Sequence, residues 1–389
     1  MIQVIQIKDY TAWDNYLSRH SKSNFYQGSN WQSIIAKTYA FKTFSLAAVQ
    51  SNTPPSEAPT VWKMVGLLPL VYLKSPFIGN RLVSMPYFDH GGITADNSDY
   101  EKQLLHAAVA LGQKLKAQHI ELRQLAKIEF LQNESTVNNQ GDCSSGGLLV
   151  EPLLATNRAP FRVRWSLRSH KVRLLLSLPD SAEALMRSFK SKLRSQINRP
   201  IKAGLVAKIG GMELIDDFYK VFCINMRDLG SPVHAKSLPQ SVMAHFAGNA
   251  RIAAVYNANE PIAAALMVGC NNVMINPWAS ALREHSKYSP NMLLYWAMLA
   301  YAADHGFHQF DFGRSTPEEG TYRFKTQWGA QPHPMYWYTI WLNRNKTANA
   351  KKEIASESTK RKIAVTIWQK LPISITRIIG PHIRKHIEL

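Results

Sequence analysis

The sequence predicts an α/β (α+β) protein of two tandem subdomains, each a mixed, mostly antiparallel sheet flanked by helices. Three observations carry this expectation. The chain has 389 residues, more than one ordinary hydrophobic core organises. Its strand patterns come in antiparallel succession, followed by a helix and a further strand, rather than alternating singly with helices. The second half then repeats that element order, without any residue-level repeat.

Composition supports a packed core, with 46% hydrophobic residues. No apolar run approaches the ~20 residues that span a bilayer, and the stretch Ile252 to Cys270 is interrupted by Asn257, Asn259, Glu260 and Pro261. The start, MIQVIQIKDY, lacks the basic, apolar and small-residue regions of a secretory signal, so a cytoplasmic location is expected. Cys143, Cys223 and Cys270 are too dispersed for a disulfide framework or a metal knuckle and read as free thiols. A formal net charge of +19 favours an anionic partner, namely nucleic acid, a phosphate-rich substrate or an acidic membrane surface. The alternative is a merely solvated basic surface.

The first subdomain is expected over 1–160. Asn30 caps a short helix through Tyr39, and Thr43 to Val49 follows as a strand. WKMVGLLPLVYL reads as a buried strand and RLVSM as its return. A helix runs from Asp99 to about Lys116 with Leu104, Leu105, Ala108 and Leu111 on one side, before the strand HIELRQL. From Lys127 to Ala159 the periodicity is lost to Asn, Gln, Ser and Gly, a loop or hairpin tip.

The second subdomain is expected over 161–345. After the strand Lys171 to Leu178, Asp180 and Glu183 have capping-box spacing, and Leu185, Phe189, Leu193 and Ile197 form the inner stripe of one helix. Its outer face carries Lys192 and Arg194 among further cations, a pattern suited to neutralising phosphates or simply to solvation. RIAAVY, PIAAALMVGC and VMINPWASA follow as hairpin-linked strands. Ser289, Pro290, an apolar body and Gly306 then spell out a helix with both ends marked. HQFDFG and MYWYTIWL are read as closing this second sheet. The basic tail, 346–389, ends in isoleucines mixed with cations, a candidate amphipathic helix that packs on the body or lies on acidic lipid through Lys370, Arg377, Arg384 and Lys385.

The densest chemistry is in FDFGRSTPEEGTYRFKTQWGA, Phe310 to Ala330. Asp311 stands at a strand end as a candidate base or amine-positioning carboxylate, and Arg314 and Arg323 as candidate clamps for a phosphate or carboxylate. The same three residues could equally pair to brace the turn. Trp278 and Trp328 are candidates for a substrate channel or ordinary core. The sequence contains no GxSxG elbow and no metal-ligand spacing.

The element order of the second half resembles the GNAT acyltransferase fold. In that fold an acyl donor enters where two strands splay apart, here VMINPWASA and HQFDFG. The donor's pyrophosphate would then meet the start of the following helix, at Ser289 and Asn291. LREHSKYSPN departs from the family's glycine-containing loop, which argues against a plain coenzyme A cradle.

FDFGRSTPEEGTYRFKTQWGA, SPNMLLYWAMLAYAADHGF, GNRLVSMPYFDHGG, FKSKLRSQINRPIKAGL and LPISITRIIGPHIRK resemble FemAB-related proteins, in particular the exosortase- and exopolysaccharide-associated branch. That resemblance covers most of the chain and implies tandem GNAT-like subdomains. Fem enzymes move an amino acid from aminoacyl-tRNA to an amine of a peptidoglycan precursor, and their FK-x-x-F signature falls on Phe324, Lys325 and, with a tryptophan in the last place, Trp328. It implies Lys325 as the catalytic cation, with no tightly bound cofactor. The donor is expected to be aminoacyl-tRNA, acyl-CoA or acyl-carrier protein, and the acceptor an anionic or lipid-linked cell-envelope or exopolysaccharide precursor. A non-catalytic binding protein for a phosphate-rich glycan carrier or nucleic acid, and a plain acyl-CoA-dependent N-acetyltransferase, are the alternatives.

Overall fold

The computed structural model describes residues 2–8, 10–20, 24–51, 62–75, 79–132, 135–137, 143–150, 161–342 and 362–387. The chain divides into two compact units. The first comprises Met1–Lys171, Pro334–Ala350 and the last two residues, and the second Val172–His333 and Lys351–Ile387.

The sheet of the first unit contains β1 (Ile2–Gln6), β2 (Lys42–Ser51), β3 (Trp62–Leu73), β4 (Arg81–Val83), β5 (Thr94–Ala95), β6 (His119–Gln124), β7 (Ser135–Val137), β8 (Cys143–Val150) and β9 (Phe161–Arg168). Helices α1 (Thr11–Arg19), α2 (Ser29–Tyr39), α3 (Ser98–Lys114) and the short α4 (Glu129–Gln132) accompany it. The continuous apolar run of β3 is explained by cover on both faces. Val65, Leu68 and Leu70 join a core with α3 residues Leu104, Leu105 and Ala108, whereas Met64 and Leu67 pack with Trp13 of α1. Alternate side chains of one strand thus serve two layers.

The second unit holds β10 (Val172–Ser177), β11 (Val206–Gly210), β12 (Ala250–Asn257), β13 (Glu260–Cys270), β14 (Val273–Ala281), β15 (Gln309–Ser315) and β16 (Gln331–Pro334), in the sheet order β11-β12-β13-β14-β15-β10-β16. Helices α5 (Ala182–Ser188), α6 (Ser191–Lys202) and α9 (Pro290–Asp304) enclose a core with Leu174, Leu176, Met267, Met298, Phe310 and Phe312. Helix α7 (Ile215–Asp228) packs on β13 and β14, and α8 (Ser237–His245) on β12. The short α10 (Gly320–Thr326) follows β15. Helix α11, described over 362–370, and α12 (Ile373–Arg384) complete the unit, and α12 lies against α7.

Three expectations are corrected. MYWYTIWL does not close the second sheet. Its strand β17 (Tyr336–Trp341) pairs antiparallel with β6 and β9 of the first unit, so the division of the chain does not follow the boundary expected at 345. Its alternation places Tyr338 and Ile340 in that unit's core, and the Tyr338 hydroxyl accepts the Ile128 N–H at 3.0 Å. A strand pattern states that a strand seeks a sheet, not which one.

The single helix expected after Asp180 is two. Phe189 takes an extended conformation (φ −77°, ψ 144°) between α5 and α6, while Leu185, Phe189, Leu193 and Ile197 all remain buried. Ser181, not Asp180, supplies the cap, its hydroxyl accepting the Ala184 N–H at 3.2 Å. Ser289 does stand at the N-cap of α9, but in the left-handed region (φ 57°) and without a side-chain capping hydrogen bond.

One feature of this sheet positions the chemistry. Strands β14 and β15 run parallel, but only Val273, Met274 and Ile275 pair with Gln309, Phe310 and Asp311. Beyond Ile275 the Asn276 amide turns to its own sheet side, donating to the Leu266 and Trp278 carbonyls at 3.0 and 3.2 Å. Both strands continue unpaired to one another, leaving a wedge.

Candidate active site

The part of β15 that has left β14 carries Gly313, Arg314 and Ser315. Gly313 adopts φ 70°, where a side chain is strained. Its N–H donates to Asp311 Oδ1 at 2.8 Å, and the other oxygen of Asp311 accepts from Arg173 Nε at 2.6 Å. Because Phe310 and Phe312 enter the α9 core, alternation turns Asp311 to the opposite face. Asp311 is buried, and an ion pair this enclosed holds the strand end together rather than standing open as a base.

Helix α10 then lays the Phe324–Lys325–Trp328 signature against this strand end. Lys325 is 9% exposed, and its Nζ donates to the Arg314 carbonyl oxygen at 2.8 Å. Phe324 meets Tyr295 of α9 edge-on at 5.0 Å, and Tyr295 stacks on Phe312 at 5.6 Å. Burial raises the Tyr295 pKa, so this phenol stays neutral at physiological pH. Trp328, 1% exposed, packs edge-on against Phe189 and Phe324. Phe324 and Trp328 therefore share one aromatic cluster, while Lys325 between them in sequence is held on the β15 backbone.

Next to Trp328 a cleft of about 810 Å³ opens between the end of β10, helices α5 and α6 and the end of α10. Lys190, Lys192, Gln196, Gln327 and Trp328 line it, and the buried Trp328 Nε1 has no hydrogen-bond partner. The start of α6 faces the same space, where unpaired backbone donors and the helix dipole favour an anion. Arg194 lines a separate shallow groove on α6 with Ser195, Arg199 and Lys202. Arg199 also donates to the Lys287 carbonyl at 3.1 Å, fastening α6 to the turn before α9.

Lys325, Phe324, Trp328, Arg314 and Asp311 are thus brought together, and Lys192 lies at the adjoining cleft. Arg323 is on α10 but exposed, and Asn291 is exposed at the start of α9. Ser289 and Asn291 begin that helix next to Pro290, which lacks an N–H. Trp278 is separate from this group. It faces α7, with its ring 6.4 Å from Phe222 and 6.1 Å from His234, because Ala279 and Ala281 take the alternate positions toward the α9 core. Sequence reasoning missed Arg173, Tyr295, Gln196 and Gln327. Tyr295 carried a usable signal, falling within the apolar body of α9 directly upstream of the Phe310 to Ala330 stretch.

Residues 187–326 match the family model described as an acetyltransferase (GNAT) domain. A search of curated proteins finds no match. Among solved structures, FemX aligns with a TM-score of 0.58 at 14% identity, covering 86% of this chain and 96% of FemX. A tandem GNAT protein from the clavulanic acid biosynthesis pathway aligns at 0.50 and 11% identity, over 89% of this chain and all of that one, 100%. A C-terminal domain assigned to a lysylphosphatidylglycerol synthetase from Agrobacterium fabrum aligns at 0.50 and 10% identity, over 88% and 94%. No helix among the described residues is long and apolar enough to cross a membrane. Residues 187–326 are therefore a GNAT acyltransferase domain, set in a two-unit fold shared with FemX and with a tandem GNAT protein.

Proposed function

We propose that this protein transfers an acyl or aminoacyl group from an activated ester or thioester to an amine of a cell-envelope or exopolysaccharide precursor, at the inner face of the membrane. The carrying observation is the anchoring of Lys325 on the Arg314 carbonyl, at the strand end that has parted from β14. The amine nitrogen bonds to the carbonyl carbon, and negative charge collects on the former carbonyl oxygen. Collapse of this intermediate expels the alcohol or thiol of the donor, and the amine proton leaves to solvent or to the leaving group. A preorganised ammonium in a water-poor site stabilises that oxyanion directly. Asp311 braces the strand through Arg173 and Gly313. The cleft of Lys190, Lys192 and Trp328 takes the anionic portion of the donor or acceptor.

Aminoacyl-tRNA is the donor favoured here, since the turn before α9 offers no glycine and begins the helix at Pro290. Single-turnover transfer from labelled aminoacyl-tRNA, acyl-CoA and acyl-carrier protein to an amine acceptor tests the reading. Transfer from the tRNA ester alone is the expected result. Transfer only from acyl-CoA would reassign the protein to plain N-acetylation, and no transfer from any donor by folded protein would leave a binding role.

A further inference from the structure

Helix α12 is inside-out for a helix on a water-facing surface. Its buried positions are Thr376, Gly380 and Arg384, whereas Ile378 is 69% exposed, Ile375 43%, Ile383 38% and Ile379 37%. The preceding α11 repeats the pattern one turn apart, with Ile363 56% and Ile367 58% exposed. A surface helix in water normally buries its apolar stripe. Contiguous exposed apolar side chains of this kind mark a contact surface.

The arrangement is fixed from beneath. Arg384 Nε donates to His234 Nε2 at 3.1 Å, and Gln369 donates to the Asp228 carbonyl at 2.9 Å. Gly380 lies so close to the backbone that a Cβ there would be 3.2 Å from the Val233 nitrogen. With its polar and small side seated on the segment after α7, α12 does not turn its isoleucines inward without breaking these contacts. Charge selects the occupant. From 362 to 387 the chain has Lys362, Lys370, Arg377, Arg384 and Lys385 and no aspartate or glutamate. Lys362, Lys370 and Arg377 are exposed around the isoleucines. An apolar stripe rimmed by cations and free of acids fits the interface of an anionic bilayer, where side chains enter the acyl boundary and cations meet headgroups.

We propose that α11 and α12 form a monotopic docking surface that lays the second unit on an anionic lipid bilayer, with the isoleucine stripe inserted shallowly. Docking is measured without donor or acceptor, so it stands or falls separately from the transfer reaction.

The full chain is sedimented with vesicles of phosphatidylcholine alone and of phosphatidylcholine mixed with phosphatidylglycerol, alongside sizing in solution. Wild type is expected to partition onto the anionic vesicles. Ile378→Ser/Ile379→Ser should weaken that partition roughly tenfold or more while leaving the unfolding midpoint unchanged, because both side chains face outward. Lys370→Ser/Arg377→Ser should remove the preference for anionic over neutral lipid and its salt dependence. Absence of partition by folded wild type, or equal partition by the isoleucine variant, overturns the proposal. So does a dimer that the isoleucine variant dissociates in protein that ignores vesicles, which would assign the face to a second copy of the chain.

Discussion

Lys325 Nζ donates to the backbone carbonyl oxygen of Arg314 at 2.8 Å, tying α10 to β15 at the point where β15 has separated from β14. The strand end has parted from β14 while staying paired with β10, and the Arg314 carbonyl there is used to hold a cation in place. If that cation stabilises an oxyanion, Lys325→Ala should lower kcat on the order of 10²–10³-fold, the range for loss of one such donor. Affinity for a phosphate-bearing ligand should change little. Single-turnover kinetics with equilibrium binding separates the two, and retention of full kcat would remove Lys325 from the chemistry.

The Asp311–Arg173 pair makes a different forecast. Arg173→Ala leaves a carboxylate buried without its closest cation, and should cost about 3–5 kcal/mol in the denaturant unfolding of the second unit, as for other broken buried pairs. Asp311→Asn keeps the shape and leaves the arginine partly solvated, so its cost should be smaller. If Asp311 is a brace, its kcat with the asparagine should track stability and keep the wild-type pH profile. Loss of the low-pH limb of that profile would instead make it the general base.

These residues also mark how much of the molecule was readable beforehand. The hairpin series β12 to β14 and helix α9 were legible because alternation, turn residues, Pro290 and Gly306 act locally. The inner stripe of Leu185, Phe189, Leu193 and Ile197 was legible too, yet the break at Phe189 was not, since spacing by four survives one extended residue. Arg173 was invisible as the partner of Asp311 because 138 residues separate them and only sheet pairing brings them together. Trp278 and Trp328 looked alike in sequence. Strand alternation assigns opposite faces without saying which face holds the site.

His234 sets a pH dependence in the second unit. Burial, reinforced by the Arg384 charge, holds its pKa well below the usual imidazole range. The folded protein therefore keeps it neutral where an unfolded chain would protonate it. Below pH ~6.5 the unfolded state binds one more proton than the native state, so stability is complete above that pH. Acidification then lowers it by about 1.4 kcal/mol per pH unit until the depressed folded value is reached. His119 in the first unit, held down to about 4 chiefly by burial, contributes with the same sign. His234→Gln keeps an acceptor for Arg384 and should flatten the acid limb of the second unit's unfolding curve, measured by denaturant midpoints across pH 5 to 7. An unchanged slope would show that His234 is protonated in the fold.

Trp328 supplies the sharpest link between packing and the signature. It is 1% exposed, it contacts Phe189 and Phe324, and its indole nitrogen has no hydrogen-bond partner. Trp328→Phe, which restores the residue of the Fem signature, therefore breaks no hydrogen bond and should cost only part of the roughly 3–5 kcal/mol expected for Trp328→Ala. If the unpartnered nitrogen serves an anionic ligand of the Lys192 cleft, the phenylalanine variant should raise KM for that ligand while leaving kcat within a few-fold. Equal KM for wild type and Trp328→Phe, with both folded, would make the tryptophan a packing residue alone and leave anion binding to Lys190, Lys192 and the start of α6.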